Sequence, residues 1–149
     1  MIHTFSHLLI RQLSFECGYA ASSLRERIYS REPDDESDAM AGLLIYTADS
    51  DSEGSLGGLV RQGQIDRIIP TVLSALQHGQ WCSSDPICRE LPGQGLNGLN
   101  RAACHACCLI SETSCVYNNT LLDRMVVTGN DDINGNIGFF SSVIAKLGE

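Results

Sequence analysis

The sequence predicts an α+β fold, a small sheet packed by helices, on three observations. Segments near 24–30 and 42–48 have the composition of strands, and segments near 3–16, 64–78 and 116–127 repeat apolar residues at helical spacing. Between the last two helices, the stretch from Cys82 to Cys115 holds six of the seven cysteines. At 149 residues and 43% apolar content, a single domain over 1–149 is expected. A chain of this size buries about 70% of its unfolded surface, so size alone does not demand a metal staple.

The first helix rests on Ile2, Phe5, Leu8, Leu9 and Leu13, which share a face, and Gly18 supplies its stop. Leu24, Glu26, Ile28 and Ser30 then alternate with Arg25, Arg27 and Tyr29 in the period-two manner of a strand. Glu32 to Asp38, with Pro33 and several carboxylates, reads as a solvated loop. Gly42 to Ala48 is a continuous apolar run, the pattern of a buried strand beside the first.

Asp49 to Gly58 leaves that strand for a helix. Asp49, Asp51, Glu53 and Gly54 imitate the first half of a calcium loop, but Val60 stands where a bidentate Glu is required. The glycines would suit a phosphate cradle, yet the carboxylates beside them repel an anion, so a packed turn is expected. Ile65, Ile68, Ile69, Val72, Leu73 and Leu76 form the strongest helical pattern, with Pro70 near its first turn and Gly79 as its stop. Leu121, Leu122, Met125 and Val126 mark a further helix face. After a Gly/Asn/Asp-rich turn, Phe139, Phe140, Val143 and Ile144 predict a short docking helix near 138–147.

The cysteines come as two knuckles, Cys82/Cys88 and Cys104/Cys107, joined by a Gly-rich connector from Pro92 to Asn100. Four thiolates delivered as two pairs suit tetrahedral Zn2+ in a closed structural site, spanning about 79–115. The spacing at Cys104 is a good ligand pair and that at Cys82 is wider than usual, so Cys115 stands as reserve ligand. Cys17 and Cys108 read as buried apolar residues. The odd cysteine count, the chain length and the lack of a signal peptide disfavour disulfides and make a reducing cytoplasm the expected location.

Several function classes fall away. A net charge of -8 disfavours gripping nucleic-acid phosphates unaided, and no apolar run approaches a membrane span. There is no phosphate-binding loop with its Lys, and Gly93 to Gly98 spells a dinucleotide fingerprint with no strand before it. No His begins the H-x-E of a deaminase, and Cys108 occupies the place where haem attachment needs a His. His7 and His105 read as packing or surface groups, and no catalytic residue is assigned. Two small-enzyme alternatives stay open: a thiol oxidoreductase through Cys104/Cys107, or a metal-dependent nuclease through Asp49, Asp51 and Glu53.

Several stretches together carry a family resemblance: His3 to Ile10, Ser23 to Tyr29, Tyr46 to Gly58, Cys82 to Cys88, Ala103 to Cys107, Glu112 to Cys115 and Leu122 to Arg124. The chain resembles the C-terminal region of the DrmB family of DISARM phage-defence proteins. That region is similar to the MrfA-type zinc-binding (MZB) domain of DNA-repair helicases. The resemblance implies an accessory, non-catalytic zinc module of a DNA-processing machine, with Cys82, Cys88, Cys104 and Cys107 on the metal. It implies a helicase-like or DrmB-like partner subunit, or a second copy, met through apolar surface near Ile2 and Phe5 or at Phe139 and Phe140. Because the chain starts where that module starts, a split subunit, remnant or fragment is expected rather than an independent defence protein.

Overall fold

Helix α1 (Ile2–Cys17) is the axis of the molecule. Its buried residues are His3, Thr4, Ser6, His7, Leu8, Leu9, Ile10, Gln12 and Leu13, so burial runs well beyond the apolar stripe into polar positions. Gly18, at φ 73°, turns the chain out of the helix and returns its N–H to the Ser14 carbonyl, a conformation that glycine adopts without a Cβ penalty. The computed structural model describes residues 1–34, 37–48, 57–129 and 138–148.

After a 3₁₀ turn (Ala21–Ser23), strands β1 (Leu24–Arg31) and β2 (Met40–Thr47) pair antiparallel, from Leu24 opposite Thr47 to Arg31 opposite Met40. The alternation read in β1 holds at its start, where Leu24 and Glu26 are both buried. The buried reading of the second strand does not hold. Leu43 and Ile45 pack on the core, while Met40, Leu44 and Tyr46 are exposed. Among the described residues, a two-stranded ribbon lies against α1 on one face and no element covers its other face, whatever the hydrophobicity of the run.

Helices α2 (Gly57–Gln62) and α3 (Ile65–His78) follow, and α3 packs along α1 through Thr71, Ala75 and Leu76. Ile65 and Ile69 of the predicted stripe face outward. Gly79 ends α3 at a close approach, since a Cβ there would lie 2.8 Å from Leu8 Cδ1. The chain then runs through a short helix α4 (Ile87–Glu90) and two 3₁₀ turns (Leu96–Gly98 and Glu112–Ser114).

The helix expected near 116–127 is reduced to α5 (Met125–Thr128). Asn118, Asn119 and Leu121 all have positive φ, which no right-handed helix accommodates. The tail forms α6 (Ser141–Leu147), anchored where the Phe139 and Phe140 amides donate to the Val126 and Val127 carbonyls. Phe140 packs on Phe5 at 5.2 Å between ring centroids, so one residue from each of the two apolar patches expected at opposite ends of the chain is set against the other. Phe139 stays exposed.

Candidate metal centre

Two loops bring four thiols together. The first leaves α3 at Gly79 and carries Cys82, then Cys88 on α4; the second is the turn holding Cys104 and Cys107. Cys82, Cys88 and Cys107 are buried and Cys104 is half-buried. The Sγ atoms of Cys82 and Cys104 are 3.5 Å apart, those of Cys88 and Cys107 3.8 Å, and those of Cys104 and Cys107 3.9 Å. Zinc–sulfur bonds of about 2.3 Å place the corners of a tetrahedron about 3.8 Å apart, so the thiols stand at coordination spacing and well outside bonding distance for a disulfide. This four-cysteine cluster is able to hold a metal ion.

The backbone is arranged for sulfur. The Ser84 amide donates to Cys82 Sγ at 3.3 Å, and the Cys104 amide donates to Cys107 Sγ at 3.3 Å. Such bonds favour the thiolate, the form that binds metal. Burial works against ionisation of Cys104, but hydrogen bonds from the Cys82 thiol and the Ala106 amide outweigh it and bring the group down to about 7. Burial and neighbouring thiols push Cys82 and Cys88 up, and the adjacent Cys108 together with burial does the same to Cys107. A set in which one thiol ionises while its neighbours resist has the chemistry of a site that a dication completes.

Residues that the sequence did not single out hold the knuckles in place. Arg124 is fully buried and forks onto both oxygens of Asp85, which also accepts the Cys82 amide at 2.8 Å. The same guanidinium donates to the Gln80 carbonyl at 2.8 Å, so Arg124 braces the first knuckle at both ends. Arg11 of α1 does this for the second knuckle, donating to the carbonyls of His105, Ala106 and Leu109. Gln94 reaches back from the connector to the Cys88 carbonyl at 2.9 Å. The Gly-rich connector is a tight turn around Asn100, where a Cβ on Gly95 would come within 2.5 Å of Asn100 Nδ2.

Cys115, the reserve ligand, is not among the four; it lies with His3, His7 and Glu26 in a separate cluster. Cys108 is fully buried and Cys17 half-buried, both outside either cluster. His105 is exposed. Asp49, Asp51 and Glu53 lie outside the described residues. No described helix is long and apolar enough to cross a membrane.

Four thiols on two braced loops, set on a helix-rich α+β frame, define a zinc-binding module. The chain belongs to the MZB family, the MrfA Zn-binding domain, which it matches over residues 5–108, a span that contains all four cysteines. It is 46% identical over 132 residues to the DISARM protein DrmB of Bacillus paralicheniformis, which covers 89% of this chain and 22% of that protein. The chain thus spans about a fifth of the length of the curated relative it matches.

Proposed function

We propose that this chain is a non-catalytic zinc-stabilised interaction module of a phage-defence assembly, one MZB-like domain over 1–149 whose zinc region is 79–115. Cys82, Cys88, Cys104 and Cys107 are its metal ligands. The observation that carries the ligand set is the match between the thiol separations of 3.5–3.9 Å and the edges of a zinc–sulfur tetrahedron. Likeness to a DISARM protein supports the defence setting and the MZB match supports the zinc module, while the DNA-processing, helicase-associated and cytoplasmic context rests on the sequence resemblance.

Docking onto protein rather than DNA follows from charge and surface. A net charge of -8 opposes phosphate contacts, and Val60, Ile65, Ile69 and Phe139 present apolar side chains to solvent. The partner of this reading is a helicase-like or DrmB-like subunit, or a second copy of the chain.

Replacing one ligand tests the site. Cys107→Ser is expected to lose one equivalent of zinc and to lower the melting temperature; unchanged zinc and unchanged melting would reject the ligand set. Co-expression with a helicase-like and a DrmB-like subunit, followed by size exclusion, tests the docking role. A chain that stays monomeric beside both, yet binds duplex DNA tightly with steep salt dependence, would reject it. Disulfide-exchange turnover that disappears in Cys104→Ser would favour the oxidoreductase alternative.

A further inference from the structure

The buried N-terminal turns of α1 hold a second group of metal-type donors. His3 and His7 lie one turn apart on one face of α1 and meet Glu26 of β1 and Cys115, the residue after the Glu112–Ser114 turn. Their four ligand atoms lie within 4.8 Å of one another, and none of the four residues is more than 9% exposed. His3 Nε2 is 3.2 Å from Cys115 Sγ and 3.3 Å from Glu26 Oε1, and His7 Nε2 is 3.5 Å from the same oxygen. Zinc bonds of about 2.0–2.1 Å to nitrogen and oxygen and about 2.3 Å to sulfur set tetrahedral edges of about 3.3–3.6 Å. The observed separations are of that size.

The surroundings point the donors inward. His7 Nδ1 donates to the Cys108 carbonyl at 2.9 Å, which leaves Nε2 facing the Glu26 carboxylate. That nitrogen has no hydrogen-bond partner, and neither does Glu26 Oε2. A buried ring nitrogen and a buried carboxylate oxygen facing each other are unfavourable unless a positive charge, a proton or a metal ion, sits between them. A bond from the second ring nitrogen to a carbonyl is the contact that orients ligating histidines. Burial and the nearby Glu26 push the Cys115 thiol up to about 11, against the amides of Tyr117 and Asn119 that donate to its Sγ at 3.3 and 3.2 Å, so it is a bound cation that would hold it as thiolate. One carboxylate and one thiolate balance a dication, with two imidazoles completing the set. A cleft of about 380 Å³, bordered by Met1, Ile28, Tyr117 and Leu121, reaches His3 from solvent.

We propose that His3, His7, Glu26 and Cys115 form a second zinc site. Four protein ligands leave no open position, so the site is structural, and the mixture of nitrogen, oxygen and sulfur suits zinc over calcium or magnesium. It fastens α1 to β1 and to the segment that follows the second knuckle, independently of the four-cysteine site.

The test uses the full chain, purified under reductant, loaded with excess zinc and desalted. Native mass spectrometry should count two zinc ions per chain, and zinc X-ray absorption should show imidazole scattering beside sulfur. The double variant His7→Gln/Cys115→Ser should keep one zinc with an all-sulfur spectrum. Cys107→Ser should keep one zinc with imidazole scattering, an outcome that stands whether or not the four-cysteine reading is right. Wild-type chain whose zinc absorption lacks imidazole scattering overturns the proposal, whereas a single zinc with imidazole scattering would count against the four-cysteine site instead. If the double variant does not fold, the spectrum of the unmodified chain decides.

Discussion

Arg124 is the residue whose burial is hardest to account for by packing alone. Its guanidinium is fully enclosed and its partner Asp85 is mostly so, with 0% and 23% side-chain exposure. Removing one member of such a pair strands the other charge, at a cost of about 3–5 kcal/mol. Asp85→Ala is therefore expected to lower the urea midpoint by a corresponding amount and to release the first knuckle. A loss below about 1 kcal/mol would put the brace elsewhere. Arg124→Lys keeps the charge but cannot hold Asp85 and the Gln80 carbonyl through separate nitrogens, and should cost only part of that amount. Cys17→Ser, away from both clusters, should change stability by about 0.5 kcal/mol or less. The four thiols were legible in the sequence because their pairs sit close along the chain. Glu26 and His7 were not, because their partnership depends on α1 and β1 being brought together. The one sequence signal was the spacing of His3 and His7, which places both on one helical face. Arg124 was visible only as part of the Leu122 to Arg124 motif, which says nothing of Asp85.

Among the elements, α1 does more than fill the core, since Arg11 and His7 both reach the backbone of the second knuckle. Charged hydrogen bonds of this kind contribute about 1.5–3 kcal/mol each when buried, and less for a partly exposed donor such as Arg11. Arg11→Ala should leave the zinc count unchanged while the amides from His105 to Leu109 exchange hydrogen faster. Unaltered exchange there would show that the knuckle stands without α1. The helices at 3–16 and 64–78 were readable because their apolar spacing persists over several turns. The segment near 116–127 misled because Leu121, Leu122, Met125 and Val126 have helical spacing. Only Met125 and Val126 are helical; upstream of them the left-handed residues Asn118, Asn119 and Leu121 bend the backbone, and the Tyr117 and Asn119 amides donate to Cys115. Side-chain periodicity carries no information about a sulfur waiting for those amides. The second strand was misjudged for a related reason, because hydrophobicity does not reveal how many layers will cover a sheet.

For the whole molecule, metal removal separates what the core sustains from what the metal sustains. Structural zinc contributes on the order of 10–16 kcal/mol in small peptides, against about 5–15 kcal/mol for the stability of an entire domain. A strong chelator should bring hydrogen exchange across 79–115 towards unfolded rates before α3 loses protection; simultaneous loss would show one indivisible unit. The distances along the chain also rank the events of folding. The Cys82–Cys104 and Cys88–Cys107 contacts join residues 22 and 19 positions apart, whereas His3 meets Cys115 across 112. Closing the longest of these loops costs about 1.4 kcal/mol more chain entropy than closing the 22-residue one. Refolding with cobalt should therefore produce thiolate–cobalt absorbance before the α1 amides gain protection, and the reverse order would contradict it. During synthesis the asymmetry is sharper. His7 leaves the ribosome 101 residues ahead of the Cys108 carbonyl that it bonds, a delay of about 5–20 s at about 5–20 residues per second. For that interval α1 is a partner in waiting, with its most buried flank open to chaperones and proteases alike.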